Sequence, residues 1–289
     1  MSKAKGSLLA AITIFGTVGI FVRYIPLPAA TIAFFRGVLG LLFILALTAV
    51  TQKRPNFSAI RKNIWLLLLS GGAMGLNWVF LFEGYRHTTV AVATICYYLA
   101  PVFLVLVSPL LGERLTGYKL ILSGVALIGM VFVSNVLGGC IMGGKGIAFS
   151  IGAAALYASV MFMNKKLGNI SAFDRTVMQL LAAVIVLLPY CLLTGGFRIG
   201  QMVGRDYMLL AVVGIVHTGV AYWLYFGALG QLPSQSIAIL SYLDPVVAIV
   251  LSALWLGEPT RWQENLGAIL ILGSALCSEL IDKKNAKKG

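Results

Sequence analysis

Apolar stretches long enough to cross a hydrocarbon layer follow one another along almost the whole of this 289-residue chain. A bilayer core about 30 Å thick is spanned by about 20 residues of α-helix. Such runs lie near 7–25, 29–50, 64–86, 89–111, 117–135, 146–163, 174–194, 207–229, 234–256 and 263–281. The breaks between them carry Pro26, Pro28, Pro55, Gly112, Gly138, Gly139, Gly195, Gly196, Pro233 and Pro259, residue types that punctuate helices. Lipid offers the backbone no hydrogen-bond partner, so each run must satisfy its own peptide groups as a helix. The expected fold is an all-α membrane protein of ten transmembrane helices with no inserted soluble domain.

Charge agrees with this. Only 11% of residues are charged and nine are acidic, whereas a soluble domain carries about 25% charged residues. The net charge of +13 does not point to nucleic acid, because the basic residues sit in short clusters between apolar runs, as at Lys53-Arg54, Arg61-Lys62, Lys165-Lys166 and Lys283-Lys284. That is the pattern of cytoplasmic loops facing an anionic lipid surface. With the N-terminus inside, fifteen of the 22 basic residues fall in inside segments, six fall outside, and Arg36 lies within the second run. Both termini are therefore expected inside, in a multi-pass protein of the cytoplasmic (inner) membrane. Lys3 and Lys5 precede the first run, which ends at Arg23 without a small-residue cleavage box and reads as an uncleaved helix. Cys96, Cys140, Cys191 and Cys277 form no CxxC pair and read as small apolar fillers, so no disulfide framework, metal or cofactor is expected.

The chain also repeats itself. Tyr98, Leu99, Pro101, Val102 and Ser108 align with Tyr242, Leu243, Pro245, Val246 and Ser252, and each segment runs on to a Gly-Glu pair ending at Glu113 or Glu258. Thr116 and Thr260 follow, and Gly129 meets Gly273. An odd number of spans per repeat turns the second copy over. The reading is two inverted five-helix repeats, 1–138 and 139–289. In such folds the binding site lies near the midplane, where helices are interrupted at corresponding places. Pro101 and Pro245 are such a pair.

These segments resemble the drug/metabolite transporter superfamily in its EamA-type ten-helix form. So do the stretches that precede them, Glu83-Gly-Tyr-Arg-His-Thr-Thr-Val-Ala-Val-Ala and Gly227-Ala-Leu-Gly-Gln-Leu-Pro-Ser-Gln-Ser-Ile-Ala. The resemblance covers essentially the whole chain. It implies alternating access around a central cavity and export of amino acids, amines, nucleotide-sugar-like metabolites or drugs, often coupled to ions. It also implies that the fifth and tenth helices pack together away from the cavity, a role suited to Gly124, Gly129, Gly267 and Gly273 because small residues permit close approach.

Ionisable groups inside a membrane are expensive and mark function by default. Asp244 lies about ten residues into its run and has Ala100 as its repeat counterpart, which suits a proton or cation site. The structural alternative is an acid hydrogen-bonded beside the Pro245 break. His217 lies at a similar depth and is either a proton partner of Asp244 or a histidine satisfied by a carbonyl. Glu83 is matched in depth by Arg36, as an ion pair, a gate, or both. Asn77, Trp78, Tyr97, Tyr98, Tyr157, Tyr222 and Tyr242 fall at mid-span and read as substrate contacts or as bundle core. Aromatic faces attract an organic cation by about 0.5–2 kcal/mol each. Glu113 and Glu258 read as structural turns, and Thr260 with Gln263 as a capping box.

The function read from these residues is secondary active transport of a small-molecule substrate, an organic cation (quaternary amine) or an amino acid, with a coupling proton or ion. The competing reading is a polytopic membrane enzyme acting on lipid-linked substrates. The chain carries no G-x-S-x-G, H-E-x-x-H or P-loop motif in support of it. A channel is the third reading.

Overall fold

The computed structural model describes residues 3–52, 54–88, 93, 96–113, 116–133, 144–193, 197, 202–244, 246–247 and 262–286, and every regular element among them is helical. In chain order these are α1 (Lys3–Arg23), α2 (Ala29–Val50), α3 (Phe57–His87), α4 (Ala100–Val107) with a 3₁₀ turn (Ser108–Leu111), α5 (Gly117–Val133), α6 (Gly144–Lys166), α7 (Ala172–Leu193), α8 (Gly204–Gly214), a π-helical segment (Ile215–Val220), α9 (Ala221–Leu229), α10 (Ser234–Ser241) and α11 (Trp262–Ala286). Among the described residues five helical runs are long and apolar enough to cross a membrane: α2, α3, α6, α7 and the continuous stretch Gly204–Leu229. Shorter apolar helices accompany them at Ala100–Leu111, Gly117–Phe132 and Asn265–Ser278.

The outer surface is built for lipid. Leu69 and Leu76 on α3, Ile121 and Ile128 on α5, and Ile185 and Leu192 on α7 are exposed. Each pair is two helical turns apart, so each marks an outward apolar stripe. The polar side chains turn inward. Gln179 Nε2 donates to Ser70 Oγ (2.6 Å) and Asn164 Oδ1 (3.0 Å), tying α7 to α3 and α6 in a fully buried network. A soluble bundle has the opposite arrangement.

First-half helices pack on second-half helices in a matched pattern. α2 lies on α7, α4 on α10, and α5 on α11, while α3 packs on α6 as α9 packs on α1. Glycines set the spacing where helices nearly touch. A Cβ at Gly71 would stand 2.5 Å from the Gln179 carbonyl oxygen, and one at Gly75, a turn later, 3.0 Å from that of Ala183. On α5 a Cβ at Gly129 would stand 2.8 Å from the Gly267 carbonyl oxygen of α11. Gly124 and Gly273 border open space, so of the four glycines expected at this contact, those two play no part in it.

One end of the bundle gathers the described residues of the breaks at 54–56, 112–113, 167–171 and 230–233. Gly112 adopts a left-handed φ of 78°, which needs no Cβ, and turns Glu113 toward the second half. The Glu113 carboxylate accepts the Ser234 backbone N–H (3.0 and 2.9 Å) and its hydroxyl (2.8 Å), capping α10 from the other half. Lys165 Nζ lies 3.3 Å from the same carboxylate and also donates to the Leu232 carbonyl. Glu258, Thr260 and Pro245 lie outside the described residues. So does Cys140, while Cys96, Cys191 and Cys277 are free thiols.

Candidate functional site

Within the duplicated Tyr-Leu-X-Pro segments, the described turns at Tyr98-Leu99 and at Tyr242 form two helix interruptions that meet. In the first half the chain turns through Tyr98 and Leu99 before α4 starts. In the second, α10 ends at Ser241 and Tyr242 makes the turn. The two tyrosines stack with ring centroids 6.1 Å apart. Their hydroxyls then diverge in role because the halves differ by one residue. Tyr98 OH donates to Asp244 Oδ2 at 2.9 Å. Tyr242 faces the half that has Ala100 in place of an acid, and its hydroxyl donates to the Tyr98 carbonyl at 3.0 Å. α1 supports the acid from behind, since a Cβ at Gly16 would lie 2.8 Å from the Asp244 carbonyl oxygen.

Beside this crossing is a cavity of about 160 Å³, lined by Phe15, Arg36, Trp78, Tyr97, Tyr98, Tyr157, Tyr222, Ser241 and Asp244 among others. Its rings interlock. Tyr97 stacks on Tyr157 at 5.6 Å, and the Tyr157 and Tyr225 hydroxyls are hydrogen-bonded at 2.9 Å. The Arg36 guanidinium lies 4.4 Å from the centroid of the Trp78 ring, and its Nε is buried without a hydrogen-bond partner. No ion pair joins Arg36 to Asp244. An acid and a guanidinium thus face one small, ring-walled space without meeting, and a buried charge without its counterpart is costly.

Several expected contacts fall elsewhere. Asn77 is buried and donates to the Ala153 carbonyl (2.7 Å), pinning α3 to α6, so it does not line the cavity. Tyr242 is fully buried behind Tyr98. Arg36 and Glu83 do not pair: Tyr190 OH donates to Glu83 Oε1, and His87 Nδ1 lies 3.7 Å from Oε2. His217 and Asp244 do not pair either. The π segment turns the histidine toward α1, where Nε2 meets Thr17 Oγ1 (2.7 Å) and Nδ1 meets the Val212 carbonyl (3.3 Å). There it borders a separate, mostly apolar groove of about 500 Å³ between α1 and α8. The cavity role of Arg36 was assigned in the sequence to an ion pair. The signal for it was its depth: Arg36 is the eighth residue of its run, whereas the other basic residues lie in breaks or within three residues of a run's end.

The comparisons with known proteins agree with this architecture. A profile of the EamA-like transporter family matches residues 4–135 and 144–279. The uncharacterized transporter YxxF of Bacillus subtilis is 29% identical over 280 residues, covering 95% of this chain and 89% of the relative. The chloramphenicol-sensitive protein RarD of Pseudomonas aeruginosa is 25% identical over 97% of this chain and 96% of that protein. A probable amino-acid metabolite efflux pump of Escherichia coli is 31% identical over 56% of this chain and 57% of that protein. One crystal structure, 18% identical, superposes with a TM-score of 0.87 over 98% of this chain and 99% of that one, a likeness of fold. The family and the names of the Bacillus subtilis and Escherichia coli relatives are those of transporters rather than enzymes. This chain belongs to the EamA-like transporter family of the drug/metabolite transporter superfamily and is a multi-pass membrane transporter for small molecules.

Proposed function

We propose that the chain is a secondary transporter of a small zwitterion of the amino-acid kind, working in the cytoplasmic membrane. One observation carries the reading: Asp244 and Arg36 line one cavity with no ion pair between them. A substrate ammonium on Asp244 and carboxylate on Arg36 would complete both charges at once, and a guanidinium fork suits a planar carboxylate. The surrounding rings exclude water and accept an apolar side chain. The amino-acid name of the Escherichia coli relative supports the same class.

Asp244 holds one positive charge at a time. A substrate ammonium and a proton therefore exclude each other there, which couples uptake of one to release of the other. The halves 1–138 and 139–289, as inverted five-helix repeats with both termini inside, would rock to expose the cavity to each side in turn. The matched pairing of α2 with α7, α4 with α10 and α5 with α11 supports that arrangement. The energy required is modest, because one charge moved across 100 mV is worth about 2.3 kcal/mol. The rings favour a second reading, an organic cation held by Asp244 alone.

Thermal unfolding of the purified protein separates the two. A ligand of the native state raises the midpoint according to its affinity. An amino acid is expected to stabilise the protein more than either its decarboxylated amine or its deaminated acid. The Arg36→Gln variant should lose the preference for the carboxylate. Equal stabilisation by a quaternary amine in wild type and Arg36→Gln would overturn the zwitterion reading in favour of the cation.

A further inference from the structure

Arg36 has a counterpart. Ala33-Phe34-Phe35-Arg36-Gly37-Val38 on α2 is matched by Ala172-Phe173-Asp174-Arg175-Thr176-Val177 on α7, and α2 and α7 pack against each other. Arg175 is 5% exposed. Its Nη1 donates to the Phe226 carbonyl at 2.9 Å, while its Nε is buried without a hydrogen-bond partner. The adjacent acid does not neutralise it: Asp174 Oδ2 accepts the Ser171 hydroxyl at 2.9 Å and the Asn56 backbone N–H at 3.4 Å. Among the described residues no ion pair is made to Arg175.

The guanidinium borders a pocket of about 400 Å³, lined by Gly168, Asn169, Gly227, Gly230 and Gln231 among others, at the end of the bundle where Glu113 caps α10. Small residues keep the space over the guanidinium open. A Cβ at Gly230 would lie 3.8 Å from both terminal nitrogens, and Gly230 is exposed with an ordinary helical φ of −70°.

We propose that this pocket is a second carboxylate subsite, the counterpart of Arg36 on the side of the membrane that faces the cytoplasm. It rests on the reading that the transported solute carries a carboxylate. In an inverted repeat the two arginines exchange surroundings as the halves rock, so the arginine at the closed end in one state takes the place of the cavity arginine in the other. Arg175 receives the solute's carboxylate at the inner entrance, before Arg36 and Asp244 hold it at the centre.

The test uses the full chain in nanodiscs of zwitterionic phosphatidylcholine, with thermal unfolding followed against acetate and matched chloride as control. Acetate is expected to raise the midpoint in wild type and in Arg36→Gln. In the Arg36→Gln background, adding Arg175→Gln or Gly230→Glu should weaken the acetate response by about tenfold or more, the size of a lost charge-assisted pair. Gly230→Glu places a tethered carboxylate over the guanidinium at an exposed, unstrained position, so it reads out the site even if Arg175→Gln does not fold. Gly230→Gln should keep the response. An acetate response abolished by Arg36→Gln alone would sink the second subsite and leave the central one standing. No response in any form would sink the carboxylate reading itself. If added phosphatidylglycerol suppresses the Arg175-dependent response, the occupant is a lipid phosphate, and the solute-entrance assignment fails.

Discussion

At Asp244 a single residue separates two otherwise matching turns, and the hydrogen bonds follow from it. Tyr98 finds a carboxylate, and Tyr242, paired with the segment that carries Ala100 in place of the acid, settles for a carbonyl. Asp244→Asn keeps the shape and removes the charge, so flux into proteoliposomes is expected to fall at least about tenfold, or ~1.4 kcal/mol, with its pH dependence abolished. Undiminished, pH-sensitive flux would remove Asp244 from the mechanism. Tyr98→Phe should slow flux less, since the acid survives. A charge swap at Arg36 and Glu83 offers a second check at this scale. Because their partners are Trp78 on one side and Tyr190 on the other, the doubly swapped protein should transport no better than either single variant. Restored flux would reinstate the pair.

Among elements, the close helix contacts depend on a few glycines and ignore others. Gly71→Val drives a side chain into the Gln179 carbonyl, and overpacking of that kind costs about 1–3 kcal/mol. Gly112→Ala forces a Cβ into a left-handed turn at about 1–2 kcal/mol. Gly124→Ala and Gly273→Ala border open space and should shift stability by less than about 0.5 kcal/mol, as measured by thermal unfolding in detergent. The contrast shows what sequence can reveal here. The five long helical runs followed from run length, because lipid leaves the backbone one solution, whereas the expected runs 89–111 and 234–256 lie partly outside the described residues and are described only as shorter helices. The meeting of the Tyr-Leu-X-Pro turns followed from the repeat. Faces did not follow, because helices apolar nearly all round give no stripe to orient them. Hence Asn77, one residue from Trp78, was placed in the cavity and instead ties α3 to α6. The π segment was invisible for a similar reason: nothing in Ile215–Val220 signals the extra residue per turn that carries His217 away from Asp244.

For the molecule as a whole, the Glu113 cap ties the two halves together at one end, and it must part there if the halves rock. Glu113→Gln weakens the hold on Ser234 and Lys165. Labelling of Ile237→Cys, a fully buried position on α10, by a thiol reagent is expected to speed up in that background. Unchanged labelling would mean that this contact plays no part in closure. The cap has one more consequence. When Glu113 withdraws, the start of α10 loses its partners, and the bared N–H groups must be met by solvent. Opening therefore wets the protein and closing dries it. Solutes excluded from protein surfaces, sucrose among them, oppose the wetted form when they are present on the side that this end faces, so turnover in proteoliposomes should fall as osmolality on that side rises, even with the substrate gradient held constant.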